Sequence, residues 1–170
     1  MIKQKSIVLQ ILEDLNKSKA TPLLTGYKLV YKSKYLDFLD IAHALWNLKN
    51  SGVVSVYERN NQRFIKLTKK GELKILLHKA RISPAAKWDG KWRLIMFDIP
   101  EGSRKSRNLL RRLLKQSGFK KLQASVFISP WPLNREAIEY LKQIKLMDFI
   151  RIMRIDDIDD DKDLKKKFGV

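Results

Sequence analysis

Cysteine is absent from all 170 residues, which excludes disulfides and thiolate-bound metals. The two histidines, His43 and His78, suggest neither a metal-binding pair nor a catalytic dyad, and both read as surface or packing residues. No apolar run reaches the roughly 18 residues of a membrane span, and the N-terminus lacks the apolar stretch of a signal peptide. The expectation is therefore a cytoplasmic protein with no membrane partner. There is no glycine-rich phosphate loop and no Ser-His-Asp order. Acidic residues are also few, 18 against 36 basic ones, leaving a net charge of +18.

An excess of that size attracts polyanions, and nucleic acid is the commonest for a protein that is not membrane-bound. With 44% apolar residues, the chain can still bury a core, so disorder is not expected. The charge is spread over two regions. Residues 1–80 hold 15 basic and 6 acidic residues (+9), residues 81–155 hold 17 and 6 (+11), and residues 156–170 hold 4 and 6 (−2).

In the first region, Ile7, Val8, Ile11, Leu12 and Leu15 recur at helical spacing, predicting a helix over 2–16. The basic stretch from Leu23 to Lys34 is expected to include a short second helix. A third helix is predicted from Asp37 to Asn50, with Ile41, Leu45 and Leu48 on its apolar stripe and Ser51-Gly52 ending it. Two β-rich runs, VVSVYER and QRFIKLT, meet at Asn60-Asn61, a pair that tolerates the positive φ of a tight hairpin. Thr68 then caps KKGELKILLHKA. Helices, hairpin and helix in this order suggest a winged helix-turn-helix over residues 1–80. The closing pattern Leu67, Thr68, Gly71 fits it.

Residues 81–91 read as a linker, containing Pro84 and no clear period. From Trp92 the order becomes βαββαβ, which predicts a ferredoxin-like domain over residues 92–155. Its elements are WRLIMFD, a helix capped by Ser103 and stopped at Gly118, strands over 119–122 and 124–129, a helix capped by Asn134, and DFIRIMRI. The fold class is thus α+β. Apolar residues stand on both faces of the first strand (Leu94 and Met96, Ile95 and Phe97) and of the last (Ile150 and Ile152, Phe149 and Met153). Two helices cover one face, so the second calls for another cover, most simply a second copy in a homodimer. The charged tail, 156–170, is left as either disordered or a short helix docked on a basic neighbour.

Double-stranded DNA is the expected partner. On the third helix, His43, Trp46, Asn47 and Asn50 lie opposite the apolar stripe, and asparagine can bond an adenine edge at two points. Arg59, Arg63 and Lys66 on the hairpin, with Lys28, Lys32 and Lys34 ahead of the helix, are candidates for holding phosphate. The alternative is a protein-interaction module, since that helix carries Asp37 and Asp40 and only Lys49 as a cation. Arg104, Lys105, Arg107, Arg111, Arg112 and Lys115 surround Leu109, Leu110, Leu113 and Leu114 with no acidic residue between them. They form either a solvated face or a salt-sensitive phosphate-binding one. Trp88, Trp92 and Trp131 flank the sheet domain as packing anchors rather than a ligand cage.

The stretch WDGKWRLIMFDIPE, Trp88 to Glu101, resembles the start of the central domain of the PaaX family, bacterial repressors of phenylacetate catabolism and their relatives. With GFKKLQASVF, Gly118 to Phe127, it also looks like the CRISPR-associated protein two family, thought to share this domain. The first resemblance implies a DNA-binding transcriptional regulator, most simply a repressor, with no cofactor. It is expected to lack the C-terminal domain of the longer family members. The second implies a metal-dependent endonuclease or a structural subunit of CRISPR spacer acquisition. In that reading Asp98 is the ligand for Mg²⁺ or Mn²⁺, while Asp89 and Glu101 are near only in sequence. Otherwise Asp98-Ile99-Pro100 is a strand-end turn.

Overall fold

The computed structural model describes residues 6–18, 20–24, 28–29, 38–81 and 87–170. The chain divides into two compact units, Met1–Ile75 and Leu76–Val170. Both combine helices with antiparallel sheet, an α+β architecture.

In the first unit, α1 (Ile7–Ser18) buries Ile11, Leu12 and Leu15. These pack with Ile41, Leu45 and Leu48 of α2 (Phe38–Asn50) and with Val54 and Ile65 of the sheet. The sheet holds β1 (Thr21–Leu24), β2 (Lys28–Leu29), β3 (Val54–Arg59) and β4 (Gln62–Leu67) in the order β2-β1-β4-β3. Of the stretch expected to include a short second helix, Leu23, Leu24, Lys28 and Leu29 are in strands. Thr21, Pro22 and Leu23 pair with Ile65, Phe64 and Arg63 of β4. That pairing spans some forty residues, and local periodicity carries no trace of it. The rest of that stretch, which the helix could occupy, and the expected start of the third helix at Asp37 lie outside the described residues.

The punctuation residues behave as their chemistry dictates. Asn60 and Asn61 take φ of 51° and 56°, closing β3 onto β4 with Arg59 opposite Gln62. Gly52 adopts φ 67° after α2, and the Val53 amide bonds back to the Leu48 carbonyl. Helix α3 (Lys69–Ala80) is capped by Thr68, whose Oγ1 accepts the Gly71 amide at 3.2 Å. Gly71 is required there: a Cβ would come 2.2 Å from the Val53 carbonyl oxygen.

The second unit contains β5 (Trp92–Phe97), α4 (Arg104–Gln116), β6 (Lys120–Gln123), β7 (Val126–Ser129), α5 (Arg135–Gln143), β8 (Ile150–Ile155) and α6 (Lys162–Phe168). Its antiparallel sheet runs β6-β7-β5-β8, the ferredoxin-like order for a βαββαβ chain. Ile95, Phe97, Phe127 and Ile150 share one face of this sheet and are buried, as are Leu110, Leu113 and Leu114 of α4 and Ala137 and Leu141 of α5. Asn134 caps α5 by accepting the Ala137 amide at 2.7 Å. Ser103 makes no such bond, because a 3₁₀ turn at Glu101–Ser103 runs directly into α4.

The opposite face carries Trp92, Leu94 and Met96 with Met153 and Val126. Part of it has a cover within the chain. Phe168 of α6 lies 5.7 Å from Trp92 and 6.1 Å from Trp131, ring centre to ring centre, and Trp88 lies 5.2 Å from Trp92. The tail is therefore helical and docked on its own sheet, so a second copy is not needed over that end.

Candidate nucleic-acid interface

Helix α2 presents two different faces. Ile41, Ala44, Leu45 and Leu48 are buried, while His43, Trp46, Asn47 and Asn50 stand together in solvent. Spacings of three and four residues make the four exposed side chains neighbours on the helix surface. On the β3–β4 hairpin Arg59, Arg63 and Lys66 are exposed, and the Lys66 ammonium lies 5.1 Å from the centre of the Tyr57 ring. Lys28 belongs to β2, and nothing is described of its side chain; Lys32 and Lys34 lie outside the described residues.

Helix α4 divides its cations between two roles. Arg104, Lys105, Arg112 and Lys115 are exposed. Arg107 and Arg111 are half-buried. Arg107 reaches the Glu101 carbonyl at 3.4 Å, and Arg111 donates to the Ala124 carbonyl at 3.1 Å with its guanidinium 5.9 Å from the Phe97 ring centre. The sequence shows a uniform basic helix; the partners that draw two arginines inward come from other elements.

Asp98 directly follows β5 and is exposed, its amide bonded to the Phe149 carbonyl at 3.0 Å. It lines an open groove of about 490 Å³ with Met96, Val126, Asp148, Phe149 and Arg151. Asp148, which sequence reasoning did not single out, is thus the carboxylate that shares this groove. Asp89 stands beyond the other end of β5, held by both guanidinium nitrogens of Arg93 at 2.5 and 2.6 Å. That contact keeps its carboxyl well below the ordinary range. Glu101 points into solvent, 4.0 Å from Arg107. Among the described residues no group of three or more His, Asp or Glu side chains could hold a metal ion. Asp98 and Asp148 are two oxygen donors on one groove, and no reaction step is derived from them.

Three carboxylates of this unit anchor chain segments instead. Asp161 accepts the Trp92 indole N–H at 3.0 Å and pairs with Lys165 at 2.9 Å. Asp156 pairs with Lys91 at 2.6 Å, and Asp89 fixes Arg93. The Lys120 ammonium bonds the Lys167 carbonyl and lies 4.7 Å from the Phe168 ring centre.

Sheet order, the Asp98 strand end and the docked tail together define the second unit. Residues 85–166 match the model of the PaaX protein central Cas2-like domain. The matched residues all fall within the second unit. This Cas2-like region takes in the ferredoxin-like sheet and most of the tail. No curated protein matches the chain. Among the described residues no helix is long and apolar enough to cross a membrane.

Proposed function

We propose that the protein is a DNA-binding transcriptional regulator, most simply a repressor, whose first unit is a winged helix and whose Cas2-like unit pairs two copies. The observation that carries this reading is the joining of a PaaX-type central domain to a basic unit with α2 exposed beside a hairpin. In that unit the strand order β2-β1-β4-β3 and the turn at Asn60-Asn61 support reading the β3–β4 hairpin as a wing. Helix α2 would enter the major groove, Asn47 and Asn50 meeting base edges, while Arg59 and Arg63 hold phosphate. Exposed cations of α4 would add sequence-independent affinity.

The homodimer rests on the part of the sheet that α6 leaves open, where Met96 is 40% exposed and Leu94, Val126 and Met153 are half-buried. Covering such a strip is the simplest use for an otherwise unexplained apolar face.

The test is selection of binding sites from a random duplex library, in Mg²⁺ and again in EDTA. A regulator recovers the same inverted-repeat motif in both, with the DNA intact. Mg²⁺-dependent cutting that Asp98→Ala abolishes, without any motif, would replace this reading with a nuclease.

A further inference from the structure

The outer face of α2 is unlike the other basic surfaces of the chain. From Leu39 to Asn50 its charged residues are Asp40 and Lys49, one of each sign, so it gains little from phosphate. What it displays is an indole, an imidazole and two amides, with the exposed Leu39 at its N-terminal end. Trp46 is 54% exposed, an apolar area that a folded protein ordinarily buries. Its neighbour Asn47 and, one turn on, Asn50 are also exposed.

This combination fits one kind of surface. In the major groove an A·T pair offers the adenine N6/N7 pair, which an amide matches, and the thymine 5-methyl group, which an apolar side chain matches. The cations lie elsewhere in the unit, on the hairpin at Arg59 and Arg63, and the net charge of +9 over residues 1–80 favours DNA over an apolar protein partner.

We infer that Trp46 reads thymine through its 5-methyl group, so that α2 selects half-sites containing A·T pairs. The inference rests on the DNA-binding reading above and assigns a base feature to one residue within it.

The experiment uses the full chain and the duplex recovered by selection, with each thymine replaced in turn by deoxyuridine, which lacks only that methyl. Wild-type affinity falls about fourfold at one or more positions in each half-site, the worth of one buried methyl-sized group. Trp46→Ala binds the two duplexes equally, and Trp46→Leu, which keeps apolar surface, regains part of the difference. Unchanged thermal unfolding shows that both variants fold. A wild type that binds its site but ignores every replacement overturns the role of Trp46 and leaves the DNA-binding reading standing, as does a Trp46→Ala protein that still senses the methyl. A wild type with no preferred sequence overturns both. Loss of self-association in Trp46→Ala, with DNA binding intact, would assign the indole to a protein contact instead.

Discussion

The indole N–H of Trp92 donates to the Asp161 carboxylate at 3.0 Å, tying the first strand of the Cas2-like unit to a residue 69 positions later. Around that bond the tail closes over the sheet: Lys165 pairs with Asp161, and Phe168 rests on Trp92 and Trp131. Truncating Phe168 removes both ring contacts. Phe168→Ala is expected to cost about 2 kcal/mol, below the range for a fully buried phenylalanine because this ring is only half-buried. Urea unfolding monitored by tryptophan fluorescence measures it.

Acid should loosen the same region. Asp161 is held below its ordinary value by Lys165 and then by the Trp92 N–H, Asp156 by Lys91, and Asp89 by Arg93. A depressed carboxylate stabilises the fold fully above its unfolded value, 3.8 here. That contribution is lost as pH falls through the lower folded values. The thermal midpoint of the wild type should therefore drop between about pH 5 and pH 2. Asp161→Asn should lower the midpoint at neutral pH and make that drop shallower.

Gly71 gives a sharper test of packing. The Cβ of Gly71→Ala meets a backbone oxygen, Val53 O, that no side-chain rotation can move aside. A loss of about 2 kcal/mol is expected. Gly102→Ala, with nothing within 4 Å of its Cβ, should stay within about 0.5 kcal/mol of wild type. Paired urea titrations compare the two.

The hairpin turn depends on side chains that accept the left-handed region. Asn60→Ala and Asn61→Ala place an ordinary side chain at φ 51° and 56° and should each cost about 1 kcal/mol, whereas Asn61→Gly should not destabilise. Chemical denaturation of the three variants checks the order.

Two arginines one residue apart should separate by role. Arg112 is exposed, and Arg112→Gln should leave unfolding unchanged while reducing the slope of log affinity against log salt by about one. Arg111→Gln removes the bond to Ala124 and the contact with Phe97, and should lower stability.

Much of this was legible in the chain because it is local. The α4 stripe, the Asn134 cap, the Asn60-Asn61 turn and the glycines after α2 and α4 are set by residues within a few positions of one another. The rest depends on distant partners. Thr21 to Leu23 become a strand because β4 lies ready to pair with them. Asp148 joins Asp98 only when the β8 end of the sheet is in place, and the docking of Phe168 needs tryptophans at 92 and 131. Spacing in the α4 sequence likewise cannot show which arginines find carbonyls on other elements.

Sequence selection by the exposed face of α2 is tested most directly by repeating the duplex selection with an Asn47→Ala, Asn50→Ala protein beside the wild type. The wild type should recover a reproducible motif, and the variant a motif weakened or changed at adenine positions while salt-sensitive binding to any duplex persists. The same motif recovered with equal strength by both proteins would contradict selection by that face.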